Sequence, residues 1–113
     1  MKGVRRGDPV TFAVYGDYGK PRPALVVQSD VFQEIPSVTV LRLTSDTSAG
    51  HPVRIAVMPA PSSGLRVHAY VMIDKAISVP RDQVGVIGRL DDTAMREVGQ
   101  ALAIFLALDA SSV

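Results

Sequence analysis

Apolar and polar residues alternate over 9–15, where Val10, Phe12 and Val14 are separated by Thr11, Ala13 and Tyr15. A period of two, rich in β-branched and aromatic side chains, is the pattern of a half-buried strand. Gly16-Asp17-Tyr18-Gly19-Lys20-Pro21 then places two glycines and a proline within six residues, the composition of a turn. The run over 23–28 is continuous rather than alternating, with Ala24, Leu25, Val26 and Val27 in succession. Such a run suits a short strand covered on both faces, as in a small barrel. Pro23 is expected to open it, because proline is tolerated at the first residue of a strand and not in its middle.

Ser29 and Asp30 are placed to cap a single helical turn that Pro36 stops. Alternation returns over 37–44, with Val38, Val40 and Arg42 on one face and Thr39, Leu41 and Leu43 on the other. A loop over 44–52 follows, then a strand over 53–57 with Val53, Ile55 and Val57 inward, then a second loop over 59–64. Long loops inside a small domain tend to carry function. A long strand is expected over 68–79, interrupted by Asp74-Lys75, and a short one over 84–90 whose glycines indicate a bend or close packing.

From Asp91 the period changes to that of a helix. Met95, Val98, Leu102 and Phe105 fall on one face, behind aspartates at the positive helix end. After Gln100 the helix is apolar nearly all round, so it is expected to be covered on more than one side, by the strands and by a second copy of the chain. The fold class expected is mostly β: five or more short strands closing a small barrel, plus one C-terminal helix, in a single domain over 1–113.

At 113 residues and 47% hydrophobic, the chain has enough apolar area for a core without staples. The absence of cysteine excludes disulfides, thiolate metal sites and a cysteine nucleophile. No apolar run approaches a membrane span, and the basic start Met1-Lys2-Gly3-Val4-Arg5-Arg6 leads into no signal-like stretch, so a soluble, unexported, cytoplasmic protein is expected. Net charge is only +1, but residues 1–22 carry five cations against two anions, whereas 90–113 carry one cation against four anions. That asymmetry is compatible with a basic surface that meets a polyanion.

His51 and His68 invite comparison with a paired general acid and base. However, His51 precedes a proline in a loop and His68 sits near a strand start, positions typical of ordinary hydrogen-bonding residues. No metal-ligand or phosphate-loop spacing is present, so neither a metal nor a nucleotide cofactor is expected. Arg22 is more unusual, because prolines on both sides stiffen its backbone and hold a guanidinium at a strand mouth. That arginine either pairs with a surface carboxylate or offers its planar set of donors to a phosphate. Thr44, Ser45, Thr47 and Ser48 place four hydroxyls within five residues at the end of the third strand. Together the two segments form a candidate site for a phosphodiester.

These residues also carry a family resemblance. Arg6-Gly7-Asp8, Arg22-Pro23-Ala24-Leu25-Val26-Val27-Gln28-Ser29-Asp30, Thr39-Val40-Leu41-Arg42-Leu43-Thr44, Val71-Met72-Ile73-Asp74-Lys75 and Val86-Ile87-Gly88-Arg89-Leu90-Asp91 together resemble the MazF/PemK toxins of bacterial toxin–antitoxin systems. The resemblance implies an SH3-like barrel with a C-terminal helix, a homodimer, and a metal-independent endoribonuclease that cuts single-stranded RNA at short sequences. It also implies an acidic, partly disordered antitoxin as partner. Arg22 falls on the family's catalytic arginine and Thr44 on its catalytic threonine. RNA contacts are expected from Tyr15, Tyr18 and Lys20, from Ser45 and the loop to His51, and from Lys75, since unstacked bases lie on aromatic or arginine faces. Two departures from the family leave the cleavage motif open: the first loop is short, and Asp74-Lys75 stands where other members have glutamine. The alternative in the same fold is the gyrase poison CcdB, whose action uses a tryptophan at the end of the C-terminal helix; this chain has no tryptophan.

Overall fold

In the computed structural model, which describes residues 3–13, 20–46 and 53–108, six strands form one antiparallel sheet. They are β1 (Pro9–Ala13), β2 (Pro21–Val26), β3 (Ser37–Thr44), β4 (Arg54–Val57), β5 (Ala69–Pro80) and β6 (Val84–Val86), followed by the helix α1 (Asp92–Leu106). The spatial order is β4-β5-β3-β2-β1-β6. The fold class is therefore as expected, mostly β with a C-terminal helix. No helix among the described residues is long and apolar enough to cross a membrane.

Alternation along the strands sorts the core into two clusters on opposite faces of the sheet. Leu25, Leu41, Leu43, Val71 and Ile73 belong to one, which Val98 of α1 joins. Val10, Phe12, Ala24, Val26, Val38 and Val40 belong to the other. The continuous apolar run of β2 is thus explained: Ala24 and Val26 serve one cluster while Leu25 and Val27 serve the other.

β2 begins at Pro21, two residues earlier than expected, and so holds a proline in its interior. The register shows why this is tolerated. Arg22, Ala24 and Val26 share one hydrogen-bonding edge, and Val26 N–H donates to Asp8 on the β1 side at 3.0 Å. Pro21 and Pro23 therefore present their missing N–H toward β3, where pairing starts only at Ala24 opposite Arg42. β3 has the expected bounds, and the expected interruption in β5 is a shift of register against β3 between Leu41 and Leu43.

β6 ends at Val86 rather than running to residue 90, because the chain beyond it packs backbone to backbone on the turn after β4. Arg89 N–H donates to the Ser62 carbonyl at 2.9 Å. β4 and β6 are the two edges of the sheet, so this contact between the segments that follow them closes the barrel.

The expected single turn is a 3-10 turn over Asp30–Phe32 with Ser29 Oγ accepting from Val31 N–H at 3.2 Å. Asp30 Oδ1 accepts from Arg6 N–H at 2.7 Å, and the Arg6 guanidinium donates to the Val27 carbonyl. Asp8, only 6% exposed, accepts from Arg5 N–H at 2.9 Å and from the Arg89 guanidinium at 3.0 Å. The short motifs at 6–8, 28–30 and 88–91 are thereby tied to one another. Their charges latch the chain start to β2 and to the segment entering α1.

α1 rests on β5 and β4 and buries Val98 fully. Met95 and Leu102 pack partly against the core, but Phe105, expected inward, is 48% exposed, as are Ile104 and Leu108 at 76% and 69%. The last helical turn extends past the sheet that covers the earlier ones. Asp91 caps the helix, its carboxylate accepting from Ala94 N–H at 2.7 Å. Asp91→Ala is expected to cost about 1 kcal/mol, read as a fall of the thermal midpoint by roughly 4–8 °C.

Candidate active site

The face of the sheet that carries Ala24, Val26 and Val40 changes character toward one end. Along β3 the alternation that places Val38 and Val40 on this face continues to Arg42 and Thr44, both half-buried. Along β2 the same alternation carries Ala24 back to Arg22, also half-buried. Ala24 lies opposite Arg42, so continuing the register by two residues sets Arg22 across from Thr44. On its other side Arg22 pairs with Phe12 of β1, which is 2% exposed and forms an apolar floor.

The strands beyond β3 extend this surface. Thr44 pairs with Tyr70 of β5, and Tyr70 pairs with Ala56 of β4. One step into the sheet, Arg54 of β4 pairs with Met72 of β5, and Arg42 occupies the register shift on the neighbouring β3. Arg22 and Arg42 are diagonal neighbours, about 7–8 Å apart at the backbone. Asp74 follows Met72 by two residues and is half-buried. The end of this face therefore holds three arginines and one carboxylate around a threonine hydroxyl.

Thr44 is held by its own turn, since Asp46 N–H donates to its Oγ1 at 3.1 Å. The hydroxyl accepts that bond and keeps its own O–H for an acceptor. Arg54 reaches the same turn from β4, its Nη1 donating to the Asp46 carbonyl at 3.4 Å. The Nε atoms of Arg42 and Arg54 are buried and take no acceptor among the described residues. Guanidinium donors held in a fixed fork with unused N–H groups suit a planar or tetrahedral oxyanion.

Of the residues expected from sequence, Lys20 and Ser45 are exposed immediately outside Arg22 and Thr44, at the same mouth. Lys75 is exposed on β5, where that strand's register against β3 shifts. His68 is exposed and immediately precedes β5. Tyr15, Tyr18 and His51, like Thr47 and Ser48, lie outside the described residues. Arg54 was not singled out from sequence, and Arg42 only as a member of an alternating strand and of the motif over 39–44. The available signal was the position of Arg42 in phase with Val38 and Val40, a permanent charge on an otherwise apolar face.

The fold is small and mostly β, with Arg22 and Thr44 at one end of the sheet, and comparison with known proteins gives it a class. The model of the PemK-like, MazF-like toxins of type II toxin–antitoxin systems matches residues 5–106. The chain is 41% identical over 107 residues to the probable endoribonuclease MazF of Mycolicibacterium smegmatis, covering 93% of this chain and 98% of that one. Among solved structures it is similar to a mycobacterial endoribonuclease in complex with its cognate antitoxin, at a TM-score of 0.77 and 25% identity over 94% of this chain and 97% of that one. The MazE–MazF complex of Deinococcus radiodurans shares the fold at a TM-score of 0.74 and 21% identity, over 94% of this chain and 97% of that one. The chain belongs to the PemK-like, MazF-like toxin family of type II toxin–antitoxin systems. It is a MazF-like endoribonuclease toxin.

Proposed function

We propose that the protein is a sequence-specific, metal-independent endoribonuclease acting on single-stranded RNA in the cytoplasm. The observation that carries this reading is the position of Arg22 and Thr44 on one face and at one end of adjacent strands. In the reaction, the RNA 2′-oxygen gives up its proton and attacks the adjacent phosphorus. The bond from phosphorus to the 5′-oxygen breaks, and that oxygen takes up a proton. The products are a 2′,3′-cyclic phosphate and a 5′-hydroxyl. Arg22 stabilises the charge that builds on the pentavalent phosphorane, and Thr44 donates to a non-bridging oxygen. Tyr15, Tyr18, Lys20, Ser45, His51 and Lys75 hold the flanking nucleotides, by stacking and by contacts to the backbone.

The protein acts as a homodimer, which gives the exposed apolar end of α1 a cover, and it is neutralised by a cognate antitoxin. Complexes of relatives with their antitoxins support that partner, as does the cationic site that an acidic chain would fill.

The test is incubation of the purified chain with a long unstructured RNA in excess EDTA, with fragment ends read by mass spectrometry. Discrete cuts ending in cyclic phosphate are expected, at a rate unchanged by the chelator. Cleavage that stops in EDTA overturns the metal-free mechanism. Intact RNA, together with DNA breaks in a gyrase assay, replaces the reading with that of a gyrase poison.

A further inference from the structure

We infer that Arg42 and Arg54 form a second phosphate-binding position, which holds the phosphate adjacent to the scissile one. The inference rests on the ribonuclease reading above and adds to it two residues that the sequence did not single out. Both arginines project on the face that carries Arg22 and Thr44, one step further into the sheet. Their backbones share a row across β3, β5 and β4, with Met72 between them on β5, about 10 Å apart. Long side chains can cover much of that distance, and Arg54 reaches the turn beside Thr44, where its Nη1 donates to the Asp46 carbonyl at 3.4 Å.

A structural arginine normally satisfies its donors on carboxylates or carbonyls. Arg81 is the example within this chain, donating to the carbonyls of Ile35, Val4, Phe32 and Ser37. Arg42 and Arg54 differ, since the Nε of each is enclosed and takes no acceptor among the described residues. A buried cationic donor left without an acceptor is costly, and an anion bound at the terminal nitrogens of the same guanidinium offsets part of that cost through its charge. Asp74 on the same stretch of β5 and Asp46 in the Thr44 turn offset part of the charge, so that three arginines stand against two carboxylates. The ligand chemistry is that of a second phosphodiester in the same strand, because a site next to the scissile phosphate is reached by the neighbouring linkage of a continuous backbone.

The test uses full-length protein carrying Arg22→Ala, so that the RNA stays intact, and a fluorescent oligoribonucleotide containing the mapped cut site. Affinity is measured over a salt series with and without a further Arg54→Gln or Arg42→Gln. Each added substitution is expected to weaken binding roughly tenfold at low salt. Each should also lower the slope of log K against log salt by about 0.7, the value for one phosphate contact on a single strand. A methylphosphonate that neutralises the linkage next to the cut should weaken the Arg22→Ala parent to the same extent and should have little further effect in the Arg54→Gln protein. In the Arg22-intact background, Arg54→Gln should raise KM about tenfold with kcat nearly unchanged. Arg96→Gln, an exposed charge on α1, is the control for net charge and should leave the slope unaltered. The inference is overturned by a slope that does not change, or by a binding loss that is the same whichever linkage is neutralised. Wild-type protein that cuts RNA normally alongside such a result leaves the ribonuclease reading standing, whereas a parent that binds no RNA removes both.

Discussion

Arg22→Ala is expected to lower the rate of RNA cleavage by at least about 10²–10³-fold, the effect of deleting one preorganised donor to a developing oxyanion. Arg22 is half-buried, its backbone pairs with Phe12 on β1, and prolines on both sides restrict that backbone. The backbone that carries the guanidinium is therefore restrained before RNA arrives, and preorganisation is the condition under which an electrostatic donor is most effective. Arg22→Lys keeps the charge and loses the planar fork, so it should recover only a small part of the rate. Thr44→Val should also lower kcat, and the double variant should lose less than the product of the two single losses, because both groups serve one transition state. Single-turnover cleavage of an oligoribonucleotide, with melting curves for each variant, measures this. Arg22→Ala protein that melts like the wild type and cleaves within tenfold of its rate would remove Arg22 from the mechanism.

Much of the fold was legible because burial in a sheet has a period of two, and the chain keeps that period where only one face is covered. β1 and β3 were readable from Val10 and Phe12 and from Val38 and Val40, and the end of β3 at Thr44 coincides with the start of a hydroxyl-rich loop. The start of β2 was not legible, since the side of the strand on which a proline lacks its N–H depends on a partner strand far away in sequence. The exposure of Phe105 was not legible either: helical periodicity fixes which side of α1 is apolar, whereas the length of the sheet beneath it fixes how much of that side is covered.

The site was legible in part for a related reason. Arg22 is flanked by prolines and announces itself locally. Arg54 is flanked by Val53 and Ile55 and looks like the polar member of an ordinary strand. Only the pairings of Arg54 with Met72 and of Thr44 with Tyr70 bring it to the same face. Other residues of the motifs that carried the family resemblance have a structural duty. Asp8, Asp30 and Arg89 bind one another's segments and so help to specify the barrel that carries the candidate site.

The contact of 62–64 with 87–89 closes that barrel, and Gly64→Ala is expected to break it. Gly64 has a φ of +74°, in the left-handed region where a Cβ is strained, and a Cβ there would come 1.8 Å from the Ile87 carbonyl oxygen. The obstacle is backbone and cannot rotate away, while on the facing segment a Cβ at Gly88 would meet the Ser63 carbonyl at 2.1 Å. Strain and displacement together should cost about 3–5 kcal/mol, a large share of the stability of a small domain. Gly85→Ala is the matched comparison, because a Cβ there meets only Thr11 Oγ1 at an ordinary 3.5 Å; it should change stability by less than about 1 kcal/mol. Urea unfolding of the two variants beside the wild type distinguishes them, and equal midpoints for Gly64→Ala and Gly85→Ala would show that the closure does not depend on close backbone packing. The consequence for function follows from position: the turn at 60–65 continues directly from β4, so loosening it frees the strand that holds Arg54. RNA binding by Gly64→Ala protein, measured well below its melting point, should therefore fall by a factor similar to that for Arg54→Gln.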